Sequence, residues 1–246
     1  MKKWKDNISF VLVGPREAGN IGAAARALKN LGFSRLGLVA PEKYPSDEAV
    51  WFAHGALDVL EKTQVFENLE DAVKGKTLVV GATRRTGKQR GPVYRIKEAA
   101  LKIRQYAGEN KAAILFGRED RGLLNAETGE CAFLINIPAD AKMPSYNLSQ
   151  AVLLVAYELS FAKGEGEKRK KAPARLASRE EMQYFYERLE KSLDMLDYVP
   201  RGNKDMEITI LRNIKHILGR AGIAGWELRM LHGLLSQAEM KLKRQS

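Results

Sequence analysis

Ala112-Ala113-Ile114-Leu115-Phe116-Gly117-Arg118-Glu119-Asp120-Arg121-Gly122 is the stretch on which the reading of this chain turns. A short apolar run that stops at a glycine-bounded polar loop is the signature of a buried strand delivering a loop to its carboxyl end. The pattern repeats at once. Ala132-Phe133-Leu134-Ile135-Asn136-Ile137 is followed by a loop from Pro138 to Pro144, then Ser145-Tyr146-Asn147-Leu148, and a long apolar helix is predicted over residues 150–162. Strand, loop, strand, loop, helix is the grammar of an α/β fold, mainly a parallel sheet with helices on both faces, whose ligands sit beyond the carboxyl ends of the strands. Gly117 and Gly122 permit positive φ and a close approach of backbone to ligand.

Working outward, Ile8-Ser9-Phe10-Val11-Leu12-Val13, Leu36-Gly37-Leu38-Val39 and Thr77-Leu78-Val79-Val80-Gly81 read as further buried strands. The first stops at Gly14-Pro15, and a helix is predicted over residues 20–31 with Ile21, Ala24, Ala25, Leu28 and Leu31 on its core face. A second stripe, Gly19, Gly22, Arg26 and Lys29, is small near its start and basic further on. Helical side chains lean toward the N-terminus, so Arg26 is expected to lie back over the glycines, next to free helix N–H groups that would seat a phosphate. The glycine spacing from Gly14 resembles a P-loop but lacks its Lys and Ser/Thr, which disfavours an NTPase, and no G-x-G-x-x-G supports a dinucleotide site. The loop Ala82-Thr83-Arg84-Arg85-Thr86-Gly87-Lys88-Gln89-Arg90-Gly91-Pro92 is the most cationic irregular segment of this region.

These residues resemble the SPOUT (trefoil-knotted) RNA 2'-O-ribose methyltransferases. Phe116-Gly117-Arg118-Glu119 with Gly122 is similar to their second motif, and Ile137 with Ser145-Tyr146-Asn147-Leu148 to their third. Asn20 followed six residues later by Arg26 reproduces the first. Within the class the chain looks most like the TrmJ branch of the TrmH family. The resemblance implies a C-terminal trefoil knot, S-adenosylmethionine as methyl donor with no metal, and a homodimer whose active sites share residues across chains. The implied substrate is tRNA, methylated on cytidine or uridine at position 32 of the anticodon loop. The donor would be held by Ala82, Thr83, Arg84, Gly117, Ile137, Pro144, Ser145, Tyr146 and Leu148. Asn20, Arg26, Glu119, Ser145 and Asn147 would serve catalysis, and Arg16, Arg84, Arg85, Lys88 and Arg90 would contact RNA. Tyr146 departs from the leucine common at its position.

Composition bounds the same reading. A formal net charge of +11 favours polyanions, with an anionic membrane surface disfavoured because the basic residues are spread over loops and helices. The single Cys131 excludes an internal disulfide and a multi-cysteine metal site; it is expected to be packed within a strand. His54, His216 and His232 read as ordinary packed or surface residues. No apolar run approaches the roughly 18 residues of a membrane span, so the cytoplasm is expected. Three regions are expected over the 246 residues: a methyltransferase domain over 1–163, a charged linker over 164–177 and a helical C-terminal domain over 178–246. In the last, Ser178 with Glu181 forms a capping box. The alternatives kept open are a 2'-O-methyltransferase of another tRNA loop or of rRNA, and an RNA-binding protein that retains the fold without the activity.

Overall fold

A computed structural model describes residues 3–85, 91–162, 175–196, 198 and 204–243. A 3-10 turn, Lys3–Asn7, leads into strand β1, Ile8–Val13, which ends at Gly14 with φ +60°. The chain then alternates: helix α1 (Ala18–Asn30), β2 (Leu36–Val39), α2 (Asp47–Phe52), α3 (Leu57–Glu61), β3 (Gln64–Phe66), α4 (Leu69–Val73), β4 (Leu78–Ala82), β5 (Val93–Arg95), α5 (Ile96–Tyr106), β6 (Ala112–Phe116), α6 (Asn125–Gly129), β7 (Phe133–Asn136) and α7 (Leu148–Phe161). Among the described residues the strands form one seven-stranded sheet in the order β3-β2-β1-β6-β4-β7-β5, every pairing parallel. The expected α/β architecture is therefore present.

Alternation along the strands splits the core into two layers, as the period-2 geometry of a strand demands. Ile8, Phe10 and Leu12 of β1, with Ile114 and Phe116 of β6, pack under α1, α5 and α7; Val11, Val13, Ala113 and Leu115 face the other side, with Val73 of α4, Leu123 and Cys131. Strand β7 lies between β4 and β5, so these two strands, consecutive in the chain, are not neighbours in the sheet. Strand β5 was not anticipated: its three residues directly follow the cationic loop and show no alternation that would mark them.

Several expectations need revising. Helix α1 begins two residues earlier than predicted, and α7 begins at Leu148 because Asn147 caps it, its side-chain Oδ1 accepting from the Ser149 amide at 2.9 Å. Cys131 is not in a strand but between α6 and β7, where it is buried and its Sγ approaches the Glu127 carbonyl at 3.5 Å. Burial pushes its thiol pKa up, which suits packing and disfavours a nucleophile. Gly19 and Gly22 do not open a ligand seat: a Cβ on Gly22 would meet the Ala49 carbonyl at 2.1 Å and one on Gly19 would crowd Phe52, so the two glycines let α2 pack directly on α1.

The C-terminal part holds α8 (Arg179–Met195), α9 (Lys204–Ala221) and α10 (Gly225–Lys243). The capping box at Ser178 is formed, Ser178 Oγ accepting from the Glu181 amide and Glu181 accepting from the Ser178 amide. Phe185, Leu228 and Ala177 make a small core of their own. Most of the expected linker lies outside the described residues, but its last part is folded: the Leu176 amide donates to Asn110 Oδ1 at 3.0 Å and the Ala177 amide to the Ile223 carbonyl at 2.7 Å. Arg179 pairs with Glu130, and the Gly75 amide donates to Glu180 at 2.7 Å, so the helices are docked on the sheet domain.

Candidate active site

Adjacent strands β6, β4 and β7 deliver their following loops to one edge of the sheet, and these loops line an open cleft with a cavity volume of about 120 Å³. From β4 come Ala82, Thr83, Arg84 and Arg85; from β6 Phe116, Gly117, Arg118, Glu119, Gly122 and Leu123; from β7 Ile137, Pro144, Ser145, Tyr146 and Leu148. Every residue expected to hold a donor thus lines this one cleft. Its walls mix apolar side chains with loop backbone, the composition of a small-molecule site.

The β6 loop is closed tightly. The Gly122 amide donates to the Arg118 carbonyl at 2.8 Å and Gly122 takes φ +64°. A Cβ at Gly117 would lie 2.0 Å from the Gly122 carbonyl carbon, so no side chain fits at Gly117. The β4 loop turns on Thr83, whose hydroxyl accepts from the Arg85 amide at 3.1 Å. The β7 loop is closed by the Tyr146 hydroxyl, which donates to the Pro138 carbonyl at 2.9 Å.

A chain of hydrogen bonds joins the three motifs. Glu119 accepts from the Arg16 amide at 3.1 Å, the Glu17 amide at 3.4 Å and Asn20 Nδ2 at 2.9 Å. Asn20 Oδ1 in turn accepts from Asn147 Nδ2 at 2.9 Å, and Asn147 caps α7. Helix α1 has no side-chain cap of its own, so the Glu119 carboxylate, about a hundred residues away, serves as the negative group at its positive end. A carboxylate of the protein itself therefore stands where a phosphate was expected, holding the Arg16 and Glu17 amides that lead into α1. Asn20, Glu119 and Asn147 direct their polar atoms at one another and fix the loops in register.

Arg16, expected to face RNA, is tied to Glu42 at 2.9 Å and Asp120 at 2.8 Å, and these carboxylates, Asp120 foremost, raise its guanidinium pKa. Arg84 and Arg85 stand exposed on the cleft wall; Lys88 and Arg90 lie outside the described residues. Arg26 is exposed on α1 and is not among the residues lining its own chain's cleft. Six residues set it about 9 Å along the helix from Asn20 and roughly 240° around it. Sequence reasoning missed Glu127, which accepts from Arg118 Nη1 at 2.9 Å; no local pattern signals a pair made between a loop and the helix that follows it. Among the described residues no three His, Cys, Asp or Glu side chains converge as a metal site.

The model of the SpoU rRNA Methylase family matches residues 7–157, which span the whole sheet and all three cleft loops. The chain belongs to the SpoU methylase family. Similarity to known proteins extends beyond that region. It is 33% identical to the tRNA (cytidine/uridine/adenosine-2'-O-)-methyltransferase TrmJ of Pseudomonas aeruginosa (strain UCBPP-PA14), over 95% of this chain and 94% of that protein. With the tRNA (cytidine/uridine-2'-O-)-methyltransferase TrmJ of Sodalis glossinidius (strain morsitans) the identity is 35%, over 95% and 91%. The crystal structure of TrmJ from Z. mobilis ZM4 superposes with a TM-score of 0.77 at 33% identity, covering 94% of this chain and 98% of that one. The similarity therefore includes the C-terminal helices, and the resemblance read from three short motifs holds over nearly the full length.

Proposed function

We propose that this SpoU methylase transfers the methyl group of S-adenosylmethionine to a ribose 2'-hydroxyl of tRNA, on cytidine or uridine at position 32 of the anticodon loop. The observation that carries the proposal is the convergence of the three motif loops on one cleft whose floor, at Gly117, has no room for a side chain. Such a floor suits a flat ligand held by main-chain groups. Ala82, Thr83, Gly117, Ile137 and the 144–148 turn would hold the donor. When bound, it supplies an electrophilic methyl group on a sulfonium. The protein's part is to orient the 2'-oxygen in line with that methyl and offset the charge that oxygen gains as its proton leaves. Phe116, Leu123 and Ile137 make the cleft wall apolar and limit water.

The working unit is a homodimer. Helices α2 and α7 both pack on α1, yet Trp51 is 74% exposed and Phe161 60%, with Phe52, Leu153 and Tyr157 also bare. On α7 Leu153, Tyr157 and Phe161 recur every fourth residue as a single apolar stripe, which a second copy would cover. Arg26, absent from its own cleft and exposed on the α1 between those helices, would then serve the cleft of the partner subunit. The position of β7 between the consecutive strands β4 and β5 supports a trefoil knot in the C-terminal part of the sheet domain. The net charge of +11 suits an RNA substrate, and no helix among the described residues is long and apolar enough to cross a membrane, which agrees with a cytoplasmic site of action.

Calorimetry with S-adenosylmethionine, followed by mass spectrometry of digests of unmodified tRNA incubated with enzyme and donor, tests the proposal. The expected result is donor binding and a single 2'-O-methylpyrimidine in the anticodon-loop fragment. Methylation confined to another tRNA loop or to rRNA fragments would move the substrate, and RNA binding with no donor binding would leave only a binding protein. The Tyr146 hydroxyl gives a finer check. Tyr146→Phe removes one half-exposed hydrogen bond and keeps the ring, so the donor Kd should rise about threefold, the effect of a hydrogen bond at the weak end of the usual range.

A further inference from the structure

We infer that Arg118 is a positioning residue of the donor cleft, acting through an ion pair with Glu127. The inference rests on reading the cleft as the donor site. The loop after β6 begins and closes on glycines, Gly117 and Gly122, so its shape depends on what its side chains grip outside the cleft. Two successive residues grip in different directions. Glu119 reaches to the start of α1, as described above. Arg118 reaches to α6: its Nη1 donates to both carboxylate oxygens of Glu127, at 2.9 and 3.2 Å.

The pair is well placed to hold backbone. The side chains are only 24% and 12% exposed, so water screens them less than a surface pair. Glu127 is itself fastened, its Oε2 accepting from the Leu124 amide at 2.7 Å at the head of α6. Leu124 follows Leu123, which lines the cleft, so one carboxylate holds the loop at its beginning, through Arg118, and just past its end. The other side of Arg118 rests on the β1 turn. Gly14 has φ +60°, and a Cβ there would come within 2.8 Å of Arg118 Nε, so the turn is kept bare where the guanidinium stem lies across it. Arg118 also lines the cleft, which couples its placement to the donor seat directly.

The test is donor affinity, measured by calorimetry on the full-length protein with S-adenosylmethionine and its demethylated product. Arg118→Met keeps the stem and removes the charge; donor Kd should rise about tenfold, as expected for losing one partner of a half-buried pair. Glu127→Gln keeps an acceptor for the Leu124 amide and should cost about the same. The double variant should lose no more than either single one, because both remove one interaction. Arg118→Lys, whose ammonium can meet both carboxylate oxygens, should recover affinity to within about threefold of wild type. Melting temperature should fall by no more than a few degrees, and tRNA affinity should hold, in all four. Wild-type donor affinity in Arg118→Met overturns the inference, and so does a loss matched by falls in melting temperature and tRNA affinity. If wild type itself binds no donor, the reading of the cleft fails and takes the inference with it; if wild type binds and the variants match it, only the inference fails.

Discussion

Arg26→Lys is expected to cut turnover about a hundredfold while leaving donor binding within about twofold, the signature of removing a group that acts only as charge develops. A guanidinium does not give up its proton in a protein, so its suitable task is to steady the emerging alkoxide or grip the adjoining phosphate with a planar fork that lysine lacks. The structure adds a constraint that the motif alone did not carry. Arg26 does not line the cleft of its own chain, and in the proposed homodimer its contribution would come across the subunit boundary. Single-turnover rates with enzyme and donor in excess over tRNA check the first point. Wild-type turnover in Arg26→Lys would remove the residue from the chemistry.

Gly117→Ala should nearly abolish donor binding. The added methyl would sit 2.0 Å from the Gly122 carbonyl carbon and 2.1 Å from the Leu123 amide nitrogen, both backbone, with no flexible side chain to give way. The loop must open to admit it. Taking roughly 3 kcal/mol, the upper part of the usual cost of overpacking, donor Kd should rise more than about a hundredfold. Calorimetry measures this directly, and a Kd within about threefold of wild type would show that the loop is not the seat. Mixing the two variants joins the predictions. In a heterodimer with Arg26 serving the partner's cleft, one site carries both defects and the other neither, so a randomly mixed population should regain about a quarter of wild-type turnover. No recovery would place Arg26 and Gly117 in the same chain's site.

What the sequence showed of this molecule was local. The strands from Ile8, Leu78, Ala112 and Phe133 announce themselves as apolar runs, and the capping box at Ser178 needs only neighbours in the chain. The cleft residues from Ala82 to Leu148 were legible because motif resemblance transfers position by position. What was not legible is long-range. Nothing near Glu119 says that its carboxylate will cap a helix about a hundred residues earlier, and nothing near Gly22 says that Ala49 will press on it, so a packing stripe was read as a ligand seat. Arg118 with Glu127 and Arg16 with Asp120 were hidden for the same reason: charge partners are set by loop geometry, which pattern and propensity do not encode.

Strand order has a consequence for synthesis. β1 finds one neighbour in β2 early but its other neighbour, β6, only after roughly 75 further residues have been made, on the order of 4 to 15 s of translation at ordinary rates. Through that interval the emerging chain carries a bare apolar strand edge at what will become the middle of the sheet, an open template for pairing with other polypeptides. A nascent chain halted before Ala112 should therefore be aggregation-prone and a client for chaperones, whereas one released after Phe116 has that edge closed.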